Sequence, residues 1–286
     1  MNISNKWLDY ECLKTGNGEK LERWGSIILN RPDPQIIWPK KEKWNNYDGY
    51  YHRSTLGGGY WSFEKKIPEY WTIKYKNLTF KVSPTNFKHT GIFPEQAANW
   101  DYINEKVKEY LKNHNEMHVL NLFAYTGCAT MAAAEAGATE VVHVDASKSI
   151  NEWAKENMKL CNLENKKIRF ITEDAIKFIE REKRRNHTYQ GIIMDPPSYG
   201  RGPNKEVWKF ENDFPKLLEK VKDILDDDFS FLLISSYTTG ISHISLENIL
   251  KLEFSKDKIE TGENCLPVTE NNLILPCGIY GKVTKN

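Results

Sequence analysis

A chain of 286 residues, 40% of them hydrophobic, has room for one large α/β domain and a smaller module. No apolar run approaches the roughly 20 residues that a membrane helix needs. The start Met1-Asn2-Ile3-Ser4-Asn5-Lys6 is not a secretory leader, and the five scattered cysteines lack disulfide or zinc spacing, which suits a reducing cytoplasm. The net charge of +1 hides an asymmetry: the first 90 residues carry an excess of Lys and Arg, the remainder an excess of Asp and Glu.

The amino-terminal stretch, read as a β-rich module over 1–84, holds an unusual share of the rings. Six of the nine tryptophans lie in the first 90 residues. Trp38-Pro39-Lys40-Lys41-Glu42-Lys43-Trp44 and Tyr50-Tyr51-His52-Arg53 interleave cations with flat rings, a pattern on which phosphates and unpaired bases bind. The competing reading is a small β module whose core is made of aromatics, and it fits most of the individual tryptophans better. Strands are expected over 71–75 and 78–82, joined by a turn at Lys76-Asn77. Gly57-Gly58-Gly59 reads as a turn, since no lysine–serine pair or helix follows it.

A second domain over 85–286 is expected to open with a helix over 94–113. Apolar strands then follow at 119–122, 141–145, 168–171, 191–194 and 229–234, with helices over 129–136 and 148–161 and a closing antiparallel pair at 255–259 and 273–283. Strands alternating with helices predict a Rossmann-like, mostly parallel seven-stranded sheet with helices on both faces. Arg181-Glu182-Lys183-Arg184-Arg185 reads as a solvated helix end.

Ligands of such sheets bind beyond the carboxyl ends of the strands, where Gly127, Asp145, Asp174 and Asp195 fall. Gly127 permits a positive φ and a close approach to the backbone. Asp145 is placed to accept from both hydroxyls of a ribose. Asp174 is either a reader of an adenine amino group or a helix cap, and Ser147 is available as the cap after Asp145. There is no G-x-G-x-x-G, which argues against a dinucleotide and leaves a nucleoside without phosphates, S-adenosylmethionine above all. In Asp195-Pro196-Pro197-Ser198-Tyr199 the prolines fix φ and remove two donors, and Asp195 is pushed to an extended conformation. The stiff turn offers a carboxylate and carbonyls to a substrate amine, and Tyr199 can stack on a base or pack on the loop.

The strings Asn121-Leu122-Phe123-Ala124-Tyr125-Thr126-Gly127, Val144-Asp145-Ala146-Ser147, Glu173-Asp174-Ala175, Asp195-Pro196-Pro197-Ser198 and Lys88-His89-Thr90-Gly91-Ile92-Phe93-Pro94-Glu95-Gln96 carry a resemblance. The chain resembles class I S-adenosylmethionine-dependent methyltransferases, and more narrowly the bacterial 23S ribosomal-RNA base methyltransferases, over roughly residues 85–280. The resemblance implies cofactor contacts from Asn121, Phe123, Ala124, Tyr125, Thr126, Gly127, Asp145, Ala146, Ser147, Asp174 and Ala175, with Phe93 and Gln96 closing the pocket. Asp195, Pro196, Pro197 and Tyr199 are the candidate catalytic residues and Lys88, Arg201 and Lys205 the candidate substrate contacts; Arg201, Lys205 and Lys209 follow the catalytic turn, where substrate phosphates are expected. Gly200, Gly202 and Pro203 suggest a mobile loop after the catalytic turn.

The chain departs from the carbon-methylating branch, which carries a cysteine after the fifth strand. Ser235-Ser236-Tyr237 stands there, while Cys128 and Cys277 read as packed thiols. Nitrogen methylation of a base in RNA, ribosomal RNA by resemblance, is therefore favoured, with no metal called for. The alternatives are a small-molecule or protein N-methyltransferase, and a catalytically silent RNA-binding protein on the same scaffold.

Overall fold

The computed structural model describes residues 1–286 apart from 55–57, 202–206 and 238–239. The chain begins with β1 (Asn2–Ile3), β2 (Tyr10–Gly16), β3 (Glu19–Trp24), β4 (Ile27–Pro32), β5 (Gly49–Arg53), β6 (Gly59–Phe63), β7 (Trp71–Tyr75) and β8 (Leu78–Val82). A 3-10 turn, Pro94–Gln96, leads into α1 (Ala97–Tyr110), where a single helix over 94–113 was expected. There follow β9 (His118–Leu122), α2 (Cys128–Ala136), β10 (Glu140–Asp145), α3 (Lys148–Leu160), β11 (Ile168–Thr172), α4 (Ala175–Arg184) and β12 (Gly191–Met194). The chain ends with β13 (Tyr199–Arg201), β14 (Val207–Lys209), α5 (Phe210–Lys222), β15 (Phe231–Ser236), α6 (His243–Glu253), β16 (Lys258–Pro267) and β17 (Ile274–Thr284). Contacts group the residues into a larger unit (Met1–Asn2, Asn99–Glu263, Gly278–Asn286) and a smaller one (Ile3–Ala98, Asn264–Cys277).

The principal sheet has the order β1-β16-β17-β15-β12-β9-β10-β11. Neighbours from β15 to β11 are parallel, and β17 runs antiparallel to β15. This is the expected Rossmann-like sheet, with eight strands rather than seven because the two-residue β1 adds an edge. β16 begins at Lys258, later than expected, and runs to Pro267. The apolar runs of β9, β10, β12 and β15 are buried on both faces, as interior parallel strands require, while β11 at the edge is half-exposed. Leu120, Leu122, Val142, Val144, Leu232 and Ile234 join Phe178, Phe214, Leu217, Leu246 and Leu250 of α4, α5 and α6 in one cluster. The alternate residues face the other helices. Asn121 reaches Thr130 of α2, His143 reaches Asn151 of α3, and the Phe231 ring packs edge-on to Tyr102 of α1.

The smaller unit holds the five-stranded sheet β2-β3-β4-β5-β6 and the hairpin β7-β8. The hairpin turns at Lys76-Asn77 as the sequence indicates, with Tyr75 opposite Leu78 and Lys76 at φ 52°. Among the six amino-terminal tryptophans, Trp24 and Trp44 are buried and the others half-buried, so the rings do act as core. Charges are buried with them. Glu22 receives Arg31 Nε at 2.6 Å, Arg31 Nη2 at 2.8 Å and the Tyr10 hydroxyl at 2.7 Å, and Lys20 lies 3.2 Å from Asp33. Burial opposes the Glu22 charge, yet Arg31 and Lys20 bring its pKa down to about 2.

Candidate active site at the carboxyl edge of the sheet

Register places the strand ends level. Leu122 of β9 lies beside Val144 of β10 and Met194 of β12, and Asp145 lies beside Thr172 of β11. The loop after β9, Asp145 and Asp195 therefore share one edge. The chain departs from β9 toward β10 and β11 on one side and later returns to β12 on the other. The crevice between β9 and β12 is thus the topological switch point where open α/β sheets bind ligands.

The loop after β9 has an uncommon backbone. Phe123, Tyr125 and Gly127 take φ of 53°, 49° and 81°, so every second residue is left-handed. Such conformations cost a side-chain-bearing residue about 1–3 kcal/mol and persist where the surroundings enforce them. Three contacts do so here. Ala124 N–H donates to the Val144 carbonyl (3.1 Å), Tyr125 N–H donates to Asp145 Oδ2 (3.0 Å), and Asn157 of α3 donates to the Thr126 carbonyl (2.9 Å). A Cβ on Gly127 would stand 3.2 Å from both Ala154 Cβ and His143 Cε1.

Asp145 is held from both sides. Its second oxygen accepts from Ser147 N–H at 2.9 Å, and the Ser147 hydroxyl caps α3 by accepting from Ile150 N–H. The carboxylate is half-buried, and the adjacent Ala146 is exposed. Beneath it runs a buried polar row with a fixed direction. The Asn151 amide nitrogen donates to the Asp145 carbonyl and to Thr172 Oγ1, so its oxygen accepts from His143 Nε2 at 3.0 Å. His143 Nδ1 then accepts from Thr130 at 2.9 Å, and Thr130 Oγ1 accepts from Asn121 at 3.0 Å. Burial pushes the His143 pKa down to about 4, so the ring is neutral and the row intact at pH 7.

Asp174, exposed at the end of β11, caps α4: its Oδ1 accepts from Lys177 N–H at 3.0 Å. Ala175, the first residue of that helix, is buried. At the end of β12, Asp195 is half-buried, Pro196 buried and Pro197 exposed. After the prolines, β13 and β14 pair as an antiparallel ribbon. Trp208 accounts for it, donating its indole N–H to the Pro197 carbonyl at 2.6 Å with its ring 6.1 Å from that of Phe123. Sequence reading missed Trp208, because nothing in its spacing ties it to the prolines. Tyr199, on β13, is 51% exposed. Arg201 ends β13. Lys205, Gly202 and Pro203 lie outside the described residues, as does Gly57 of the glycine turn.

Three sequence-picked residues belong to the smaller unit. Phe93 precedes the 3-10 turn and Gln96 ends it, with Gln96 N–H donating to the Phe93 carbonyl and the Phe93 ring 5.2 Å from His89. The Lys88 carbonyl accepts from Arg31, and burial followed by Lys20 lowers the Lys88 pKa. Neither cysteine under question is poised as a nucleophile. Cys128 and Cys277 are buried, and burial raises both thiol pKa values.

Comparison with known proteins agrees with this architecture. A family model described as S-adenosylmethionine-dependent methyltransferase matches residues 52–264. The chain belongs to that family. Crystallography of an S-adenosylmethionine-dependent methyltransferase from Agrobacterium tumefaciens shows the same fold, with a TM-score of 0.92 and 34% identity over 99% of this chain and 93% of the other. SMU.776, solved as a complex with SAH, shares the fold at a TM-score of 0.74 and 20% identity, over 98% of this chain and 76% of the other.

Curated relatives include ribosomal RNA large subunit methyltransferase K/L of Pseudoalteromonas translucida, 35% identical over 147 residues, or 51% of this chain and 19% of that protein. The protein of the same name from Buchnera aphidicola is 28% identical over 270 residues, or 91% of this chain and 35% of its own length. This chain thus spans no more than about a third of either relative. Among the described residues no helix is long and apolar enough to cross a membrane.

Proposed function

We propose that this methyltransferase modifies a nitrogen on a base in RNA, with ribosomal RNA as the substrate class, and that Asp195 and the carbonyl of Pro196 orient the accepting amine. The observation that carries the reading is the Asp195-Pro196-Pro197 turn one strand away from the left-handed loop after β9. Asp145 and Asp195 follow strands that flank β9, so they stand on the order of 10 Å apart, a span suited to a nucleoside with a short side chain.

The donor set fits S-adenosylmethionine. Asp145, fixed by two backbone N–H groups, keeps lone pairs for ribose hydroxyls, and Asn121, Phe123, Ala124, Tyr125, Thr126 and Gly127 supply or shape the backbone cradle. Ala146, Ser147, Asp174 and Ala175 border the adenine end, and Phe93 and Gln96 are cofactor contacts on the family resemblance alone. The cofactor supplies a methyl group already activated on a sulfonium. The protein's task is then placement, because a conjugated exocyclic amine is a poor nucleophile until its lone pair is aimed. Asp195 and Pro196 accept the amine's N–H bonds, turn the lone pair away from themselves, and leave the proton freed on methylation to pass to solvent. Tyr199 stacks on the base, and Lys88, Arg201 and Lys205 meet phosphates.

RNA is favoured over a small molecule or a protein side chain by the basic amino-terminal stretch and its exposed rings, Tyr60, Tyr70 and Phe87. The names of the curated relatives point the same way. The test is transfer of labelled methyl from S-adenosylmethionine to total RNA and to ribosomal subunits, with a ribonuclease control. Asp195→Ala is expected to retain cofactor binding and lose at least a hundredfold in transfer. Label that survives ribonuclease, or transfer unchanged in Asp195→Ala, overturns the proposal.

A further inference from the structure

The opposite edge of the parallel sheet holds a group of side chains that methyl transfer leaves unexplained. His118 and Glu140 are the first residues of β9 and β10 and lie level with each other. His187 stands in the connection between α4 and β12. One ligand atom from each lies within 4.8 Å of the other two. Glu140 is buried, and Asp145 lies five residues further along the same strand, roughly 16 Å away.

We infer that His118, Glu140 and His187 form a site for a divalent transition metal of the zinc class. His118 Nδ1 is buried and makes no hydrogen bond, and Glu140 Oε2 lies 3.5 Å from it. Two atoms bound to one tetrahedral zinc at 2.0–2.1 Å stand about 3.4 Å apart, so this pair already has the spacing of shared ligands. The His187 ring lies 6.0 Å from that of His118, centroid to centroid, and nearly perpendicular to it.

Glu182 sets the tautomer of His187. Its Oε2 accepts His187 Nδ1–H at 2.6 Å and the Tyr189 hydroxyl at 2.9 Å, leaving a lone pair on Nε2. A carboxylate behind a metal-binding imidazole is the usual way to orient it and raise its basicity. Glu182 was expected in solvent with its charged neighbours, and its near-complete burial has a purpose in this arrangement. Lys167, 3.0 Å from Glu140 Oε1, and Arg169, 3.8 Å from Oε2, neutralise the carboxylate but give His118 Nδ1 no partner. Two imidazoles with one carboxylate select zinc, cobalt or nickel over calcium or magnesium, and three protein donors leave a position for water.

The experiment is calorimetric titration of the metal-free protein with zinc, repeated with cobalt while recording visible absorption, and with magnesium as the control ion. One zinc per chain is expected, with no magnesium binding and no thiolate band from cobalt. At a hundredfold excess over Kd, Tm should rise by about 5–10 °C. His118→Gln and His187→Gln should abolish binding. Glu182→Gln should weaken it about 10–100-fold. S-adenosylmethionine binding, which reads the other edge of the sheet, verifies that each variant is folded. Absence of saturable zinc binding in the folded wild-type protein overturns the proposal. So does zinc binding that is unchanged in the folded His187→Gln variant.

Discussion

Two buried polar groups, one in each unit, are built in opposite ways. Behind the strand ends of the larger unit, the row from Asn121 through Thr130 and His143 to Asn151 is neutral, and each donor meets an acceptor. The smaller unit buries formal charges, Glu22 with Arg31 and Lys20 with Asp33. A neutral row avoids the large cost of desolvating ions and fixes geometry, which suits strand ends that must present a carboxylate in one orientation. A buried ion pair tolerates no loss of either member.

That contrast can be broken most forcefully in the smaller unit. Arg31→Leu leaves the Glu22 carboxylate buried without its partner and should cost about 3–5 kcal/mol, read by urea unfolding. Replacing both with Glu22→Gln and Arg31→Met should recover much of the loss, and a single variant costing under about 1 kcal/mol would show that the charges are not what holds the unit.

Acid separates the two designs by window. The His143 pKa falls from 6.5 unfolded to about 4 folded, so the unfolded state binds more protons and stability drops as pH falls from 6.5 to 4, by about 3 kcal/mol in full. Glu22, down from 4.5 to about 2, contributes stability that is present above 4.5 and is lost as pH falls toward 2, again by about 3 kcal/mol. His143→Gln should flatten the upper window alone in pH-dependent urea titrations.

Two smaller changes sharpen the picture of the sheet edge. Gly127→Ala forces a Cβ onto a backbone at φ 81° and should cost about 1–3 kcal/mol, with weaker S-adenosylmethionine binding measured by calorimetry. Asp174→Ala removes the α4 cap and should cost about 1 kcal/mol. Affinity for the cofactor that survives this substitution would leave Asp174 with its capping role only.

The strand–helix alternation was legible because buried parallel strands are continuous apolar runs such as Gly191-Ile192-Ile193-Met194. The acids beyond them could be located by counting along those runs. β16 was misplaced because Lys258-Ile259-Glu260-Thr261-Gly262-Glu263-Asn264 carries almost no apolar signal, and its pairing with β17 defines it. The left-handed backbone of Phe123 and Tyr125 has no signature in residue type, since tertiary hydrogen bonds impose it. Burial of Glu182 was hidden inside a run of charges, and its partners His187 and Tyr189 come from beyond the helix. The His118, Glu140 and His187 group escapes any spacing rule because three separate segments bring it together.

The smaller unit also has a consequence for synthesis. Its sheet is completed by residues from near the end of the chain: Cys12 bridges Val268, Thr269 and Glu270 donate to the carbonyls of Cys12 and Leu13, and Ser4 donates to the Cys265 carbonyl. A ribosome makes the amino terminus first, so the first 98 residues emerge without the segment Asn264–Cys277 that completes their unit. The smaller unit therefore stays unfinished while residues 99–263, between its two segments, are made, and through that interval its aromatic interior is open to whatever chaperone meets it.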